Sequence, residues 1–348
     1  MEYKVSVIIP TYNSENYLNS TISSVMKQTI GFENIELIII DDFSTDNTQK
    51  IIDDYVLKYE NIKTFKLKEK SGAPGASRNL GIKHSTSDYL MFLDHDDCYC
   101  NDAIEKMYSK IASENADIVI GKFKTFEDEI AISDFWLNKE IKINSIKENT
   151  LFFSIDNIWR MIFPKKFIEN NKIKFPEKVF AEDLTFMIDS FTNANKIIFI
   201  NEIVYNFRLR KGEMSSTSLS KGYNYLNGLI GGYFETLKVL KKNDACKYYD
   251  KIFNQHLSTW LSDLILSKTL SIKTKKELLE KSQYLFKNIG KINPSPENER
   301  NKILMNKIKN NKTNDVISYI KKEDFKEKLK LIASKLKIKG ILKKILKK

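Results

Sequence analysis

Short strand-like stretches recur through the first hundred residues of this chain, at 4–9, 35–40, 62–67 and 88–93, largely apolar except for 62–67 with its two lysines, each parted from the next by a segment with helical spacing. A strand covered on both faces reads as a continuous apolar run, and two such strands can lie parallel only if a crossover joins them. Strand–helix alternation of this kind fixes the fold class as α/β, with a Rossmann-like, mostly parallel sheet flanked by helices. Helices are expected over 15–28, where Leu18, Ile22, Val25 and Met26 share a face, and over 46–59, where Ser44 or Asp46 caps a face of Ile51, Ile52, Tyr55 and Val56. A third is expected through 76–84, and helix 101–114 and strand 117–121 continue the pattern.

What ends these runs is chemically unusual. The first stops at Pro10-Thr11-Tyr12, the second at Asp41-Asp42, and the fourth at Asp94-His95-Asp96-Asp97. Open α/β sheets bind ligands outside the carboxyl ends of their strands. Crowded carboxylates repel one another unless a cation sits among them, and hard oxygen ligands suit Mg²⁺ or Mn²⁺, which in turn hold phosphate oxygens. The competing reading of an isolated acidic triplet is a solvated turn; a second Asp pair after a second strand favours a metal–nucleotide site. Between the last two runs lies the small-residue loop Ser71-Gly72-Ala73-Pro74-Gly75, followed by Arg78 and Asn79. Its residues allow close backbone approach to a ligand, and Arg78 can neutralise a phosphate or brace a carboxylate.

Taken together these segments resemble the inverting family 2 glycosyltransferases of the GT-A fold. The matching pieces, in order, are VSVIIPTYNSENYL, SSVMKQT, IELIIIDDFSTDNT, SGAPGASRNLGI, YLMFLDHDD and, near residue 183, FAEDLTF. The loop form, with RKGEMSS at 210–216, also resembles the bacterial enzymes that add N-acetylglucosamine to wall teichoic acid. Those enzymes tend to carry a His before Met-Ser-Ser, where this chain has Glu213.

The resemblance implies a UDP-sugar donor and a role for each motif. Pro10 and Tyr12 would wall the base pocket, Asp42 would accept the uracil imide N–H, and Asp41 would contact the donor or brace the loop. Arg78 and Asn79 would line the same pocket or hold the metal-side carboxylates. Asp94 would contact the ribose and Asp96 the Mn²⁺ or Mg²⁺ ion. Asp183 would be the general base facing the acceptor hydroxyl, with Glu182 in support. Arg208, Arg210 and Ser215 would sit near donor phosphates or acceptor. Trp159 would be either a sugar-stacking platform or, as aromatics in amphipathic runs more often are, part of the core. The acceptor would be a glycan, a polyol-phosphate polymer such as teichoic acid, or a lipid-linked sugar. The rivals are a sugar nucleotidyltransferase, whose Gly-rich basic signature PTYNSENYL lacks, and a catalytically degenerate glycan-binding homologue.

On this reading residues 1–220 form the GT-A domain, with 1–100 its nucleotide half and 101–220 its acceptor half. Strand 196–205 follows a helix over 182–194; residues 221–320 read as a helical region that offers a surface for a homo-oligomer. Of the net charge of +12, residues 321–348 supply +9, with twelve lysines against three acids. The body is therefore no nucleic-acid-binding surface by charge, and the basic amphipathic tail suits an anionic membrane surface or a protein partner. No apolar run approaches the roughly 20 residues of a membrane span. No signal peptide precedes the first strand, and three cysteines make no disulfide framework. A cytoplasmic protein at the inner face of the membrane is the expectation.

Overall fold

The structure, a computed structural model, describes residues 2–126, 138–155, 157–209, 222–294 and 298–335, with 327–335 as backbone alone. Arg210 and Ser215, and residues 336–348 of the basic tail, lie outside the described residues. The chain forms two compact units: Met1–Ser215 with Gly231–Cys246, and Ser216–Ile230 with Lys247–Lys348.

The first unit is built on a mixed sheet. Its strands are β1 (Val5–Thr11), β2 (Ile35–Asp41), β3 (Ile62–Lys66), β4 (Tyr89–Phe92), β5 (Cys98–Tyr99), β6 (Ile118–Phe126), β7 (Ile141–Ile143), β8 (Met161–Pro164) and β9 (Ile197–Arg208). Helices α1 (Leu18–Met26), α2 (Thr48–Val56), α3 (Pro74–His84) and α4 (Ala103–Glu114) alternate with the early strands. Then come α5 (Lys165–Asn170), α6 (Glu182–Asn193) and α7 (Tyr223–Lys242). The strand order is β3-β2-β1-β4-β8-β6-β9-β5, with β7 beside β9. Every residue of β1 and β2 is buried, which is why both read as nearly continuous apolar runs; the buried polar residues inside them, Ser6 and Glu36, bond each other.

The expected α/β class, a sheet flanked by helices with further helices toward the C-terminus, is what the chain forms. Strands β3, β2, β1 and β4 are mutually parallel. Beyond β4 the sheet alternates: β8 pairs antiparallel with β4 and β6, β9 runs parallel to β6, and β5 and β7 run antiparallel to β9. Strand β9 continues to Arg208, past the apolar run that marks it in the sequence. The chain steps outward from β1 through β2 to β3, then returns to place β4 on the other side of β1. Adjacent crossovers therefore leave in opposite directions between β1 and β4, and open a crevice outside their carboxyl ends.

Two glycines set how tightly the loops close over that crevice. A Cβ on Gly75 would fall 2.3 Å from the Pro176 carbonyl oxygen, and one on Gly232 of α7 would fall 1.9 Å from that of Phe180. Both contacts press on the segment 175–181 that leads into α6. Below it, Phe92, Phe163, Phe175 and Phe186 form an aromatic cluster, with Phe175 and Phe186 stacked at 4.0 Å.

The second unit is helical: α8 (Tyr249–Leu266), α9 (Ile272–Lys287), α10 (Glu299–Lys309) and α11 (Thr313–Lys335). Helix α11 runs past residue 321 without a break, so the start of the basic segment continues this helix. Trp260 is fully buried, and its indole N–H donates to the Leu226 carbonyl at 3.0 Å. Among the described residues no helix is long and apolar enough to cross a membrane.

Candidate active site

At the crevice one arginine ties together two of the sequence-predicted carboxylates, Asp94 and Glu182. Arg78 lies on α3, only 3 % exposed. One guanidinium nitrogen donates to Asp94 Oδ1 at 2.9 Å and the other to Glu182 Oε1 at 2.8 Å. Its plane lies over the Phe175 ring, 5.3 Å from the centroid, and its Nε–H is buried without an acceptor. Burial opposes its charge, but Asp94, Glu182 and Asp183 outweigh that and raise its proton affinity above the ordinary arginine value. Arg78 thus joins the end of β4 to the first turn of α6, although these carboxylates stand 88 residues apart in sequence at Asp94 and Glu182. Burial raises the Glu182 carboxyl above its usual range, with Arg78 opposing.

Helix α6 begins at a left-handed residue, Ala181, with φ 59°. Glu182 and Asp183 follow in its first turn, where the helix dipole favours negative charge. Asp183 Oδ1 accepts from the Leu184 N–H at 2.8 Å, and the side chain is partly exposed.

At the end of β4 the acidic turn is braced from three directions. Thr21 of α1 donates to the His95 carbonyl at 2.9 Å. Arg208, at the end of β9, donates from Nε to the Asp96 carbonyl at 2.7 Å, and from its backbone N–H to Asp97 Oδ1 at 2.7 Å. Tyr205 donates its hydroxyl to Asp97 Oδ2 at 2.8 Å. Asp97 is 1 % exposed; burial, then the charges of Asp96 and Asp94, push its carboxyl well above the usual range. Arg208, expected near phosphates or acceptor, is thus the brace of the turn that carries Asp94 and Asp96.

The nucleotide side is held by the glycine-rich loop. Asp42 Oδ1 accepts from the Ser71 N–H at 2.7 Å, and Oδ2 from the Ser71 hydroxyl at 2.8 Å and the Gly72 N–H at 3.2 Å. Each carboxylate oxygen has two lone pairs, so Oδ1 retains capacity for a further donor. Asp41 accepts from the Ser44 N–H and pairs with Lys66 at 3.5 Å. Pro10 is buried within β1, while Tyr12 is 37 % exposed. Lys70 donates to the Tyr12 hydroxyl at 2.5 Å and lies 4.0 Å from its ring centroid. Asn79 faces the other way: its amide donates to the Phe175 carbonyl and Glu177, and its oxygen accepts from the Phe175 N–H at 3.0 Å. It latches the segment that leads into α6.

Of the two readings of Trp159, sugar platform and core, it is the more common one, core, that the structure shows. Its indole is 5 % exposed, stacked on Tyr205 at 4.0 Å and on Phe207 at 5.9 Å, with Phe123 edge-on. No face is left for a sugar; the indole instead backs the tyrosine that holds Asp97. Lys70, Tyr205 and Asp97 are the site residues that sequence reasoning passed over. Only Asp97 carried a visible signal, as the last member of the acidic run.

A divalent cation fits this donor set in one specific way. Among the described residues no three His, Cys, Asp or Glu side chains are placed to hold a metal ion. Mg²⁺-type sites on nucleotides need only one or two protein carboxylates, because substrate phosphates supply further ligands. Asp94 acts on Arg78, and Asp94 and Asp96 both act on Asp97, so an acidic turn of this kind suits a cation brought with a diphosphate.

Replacing Arg78 by Met is expected to lower stability by about 3–5 kcal/mol, because Asp94 and Glu182 are left in the crevice without their counter-charge. Chemical denaturation of the R78M and R78M/E182Q chains checks this: the second change should recover part of the loss. An R78M chain as stable as the parent would mean that the carboxylates do not depend on Arg78.

A family model described as Glycosyl transferase family 2 matches residues 6–188. The poly(ribitol-phosphate) beta-N-acetylglucosaminyltransferase TarP of Staphylococcus aureus is 34 % identical over 253 residues, covering 71 % of this chain and 75 % of that protein. The poly(ribitol-phosphate) beta-glucosyltransferase of Bacillus spizizenii is 27 % identical over 289 residues, covering 81 % of this chain; this chain spans 44 % of that relative's length. Among solved structures, S. aureus TarS 1–349 in complex with UDP-GlcNAc superposes with a TM-score of 0.72, over 92 % of this chain and 91 % of that one. At 22 % identity that is a likeness of fold.

Proposed function

The chain belongs to glycosyl transferase family 2, and from that premise we propose that it moves a sugar from a UDP-sugar, with inversion, to a polyol-phosphate polymer of the teichoic acid type. The observation that carries this reading is the Arg78 bridge. It brings the donor-side carboxylate Asp94 and the α6 start with Asp183 into one charge cluster at the sheet's switch point. The relatives named for poly(ribitol-phosphate) glycosylation supply the acceptor class, and UDP-GlcNAc in the TarS complex the donor class.

Tyr12 and Asp42 take the base of the donor, Asp94 its ribose, and Asp96 its diphosphate end. Asp96 would hold Mn²⁺ or Mg²⁺, which when bound offsets the charge that grows on the leaving diphosphate. Arg78 keeps Asp94 in place, and Arg208 fixes the backbone of Asp96. Asp183 accepts the proton of the acceptor hydroxyl as its oxygen bonds to the anomeric carbon and the bond from that carbon to UDP breaks. One displacement inverts the anomeric centre.

Incubation with UDP-GlcNAc or UDP-glucose and poly(ribitol phosphate) tests the reading. The expected result is polymer-dependent release of UDP, with a β-linked product from an α-linked donor by NMR. A retained configuration, or release of pyrophosphate, overturns it.

The basic C-terminus adds a place of action. Residues 336–348 hold six lysines and no acid, and each Lys near an anionic surface contributes on the order of 1 kcal/mol. A chain ending at Lys335 should keep its fold and its transfer to soluble acceptor. It should lose binding to phosphatidylglycerol vesicles, while binding by the full chain weakens as salt rises. Equal vesicle binding by the two chains sinks the membrane assignment.

A further inference from the structure

Beside the crevice, on the outer side of α3, the first unit has a cavity of about 780 Å³. It lies between the end of β3, the exposed face of α3, and the stretch from α5 to Lys178. Its floor is apolar, from Leu80, Ile168 and Ile173. Its rim is not: six lysines stand there against three glutamates. Residues 1–320 together carry a net charge of only +3, so this lining concentrates as much positive charge as that whole stretch has in excess.

Two of the six lysines are engaged, Lys66 with Asp41 and Lys178 with Glu69. The other four, Lys68, Lys83, Lys172 and Lys174, are exposed and have no carboxylate partner among the described residues. They come from three separate segments and point to one ligand with several negative charges. The lining contains no Phe, Tyr or Trp. A neutral sugar chain would want an aromatic platform, and a single-stranded nucleic acid would want stacking surfaces. The cavity is concave, whereas a bilayer surface presents its charges in a plane. A flexible chain of phosphates joined by small aliphatic polyols satisfies both the lysines and the apolar floor.

The cavity also touches the crevice. Ser71, which lines it, is the residue that holds Asp42, and Asn79, which lines it too, follows Arg78. We infer that this lysine-rimmed cavity is an exosite for the alditol-phosphate backbone of the acceptor polymer, distinct from the donor crevice and holding repeats remote from the one being glycosylated. The identity of the polymer rests on the glycosyltransferase reading; the polyanion chemistry does not.

The test is made on the full chain. K83E/K174E reverses charge in the cavity, and K50E/K58E reverses the same charge on and just after α2, where both lysines are exposed. Binding of poly(ribitol phosphate) without donor, by calorimetry, should weaken at least about tenfold in the first variant and hold in the second. In turnover, KM for long polymer should rise while kcat, KM for UDP-sugar and use of a single-repeat acceptor stay the same. The milder K68A/K172A chain serves if the reversal variant melts early, and should show the same direction. Equal polymer binding by cavity and control variants overturns the exosite. So does loss of binding to phosphatidylglycerol vesicles alone. If no variant, nor the parent, transfers sugar, yet polymer binding still falls with the cavity lysines, the exosite stands and the transferase reading fails.

Discussion

Sugar transfer by the Asp183→Asn chain is expected to fall by roughly 10²–10⁴-fold, while its affinity for UDP-sugar stays within about twofold of the parent. The amide has the shape of the carboxylate and can still accept from the Leu184 N–H, so the start of α6 should be unchanged. What it cannot do is take a proton. Single-turnover transfer and UDP-sugar calorimetry on the same preparation separate the two roles. Transfer at the parent rate would assign the base elsewhere. A lost donor affinity would move Asp183 into the donor pocket.

Asp96→Ala should fail at an earlier stage. Its side chain is partly exposed on a turn held by backbone contacts from Arg208 and Thr21, neither of which involves the Asp96 carboxylate. The fold should therefore persist, with a melting temperature close to the parent's. Stabilising the leaving diphosphate through a cation is worth several kcal/mol, so turnover should drop by roughly 10³-fold or more, and extra Mn²⁺ should not restore it. Manganese affinity in the presence of UDP, read by electron paramagnetic resonance, should fall in parallel. Near-normal turnover at saturating Mn²⁺ would remove Asp96 from the metal role.

The parallel half of the fold was legible because burial on both faces leaves the strands apolar but for a mutually bonded pair, Ser6 and Glu36, so β1, β2 and β4 announce themselves. Their ends were legible for the same reason: the first polar residues after a buried run must sit at a sheet edge. The supporting contacts were not. Tyr205 reaches Asp97 across 108 residues, and Arg78 reaches Glu182 across 104. Such pairings depend on which strands become neighbours, and no local pattern records that β9 lies beside β6 and β5. Trp159 shows the converse difficulty. An aromatic in a short amphipathic run has the same sequence signature whether it faces a sugar or a tyrosine, and only the path of β9 decides.

The interleaving of the two units carries a consequence for synthesis. The segment Gly231–Cys246 belongs to the first unit, after the chain has already entered the second. Within it, Thr236 bonds Thr185 at 2.8 Å and Asn243 bonds Asp189 at 2.8 Å, so the back of α6 is closed by residues made some fifty positions later. On the ribosome, the part with Asp183 cannot reach its final packing when residue 215 emerges. It must wait, with the rear of α6 uncovered, until residue 246 has cleared the exit tunnel. A fragment cut at the end of the strand-rich region would be frozen in that unfinished state, and a self-sufficient catalytic fragment has to extend at least to Cys246.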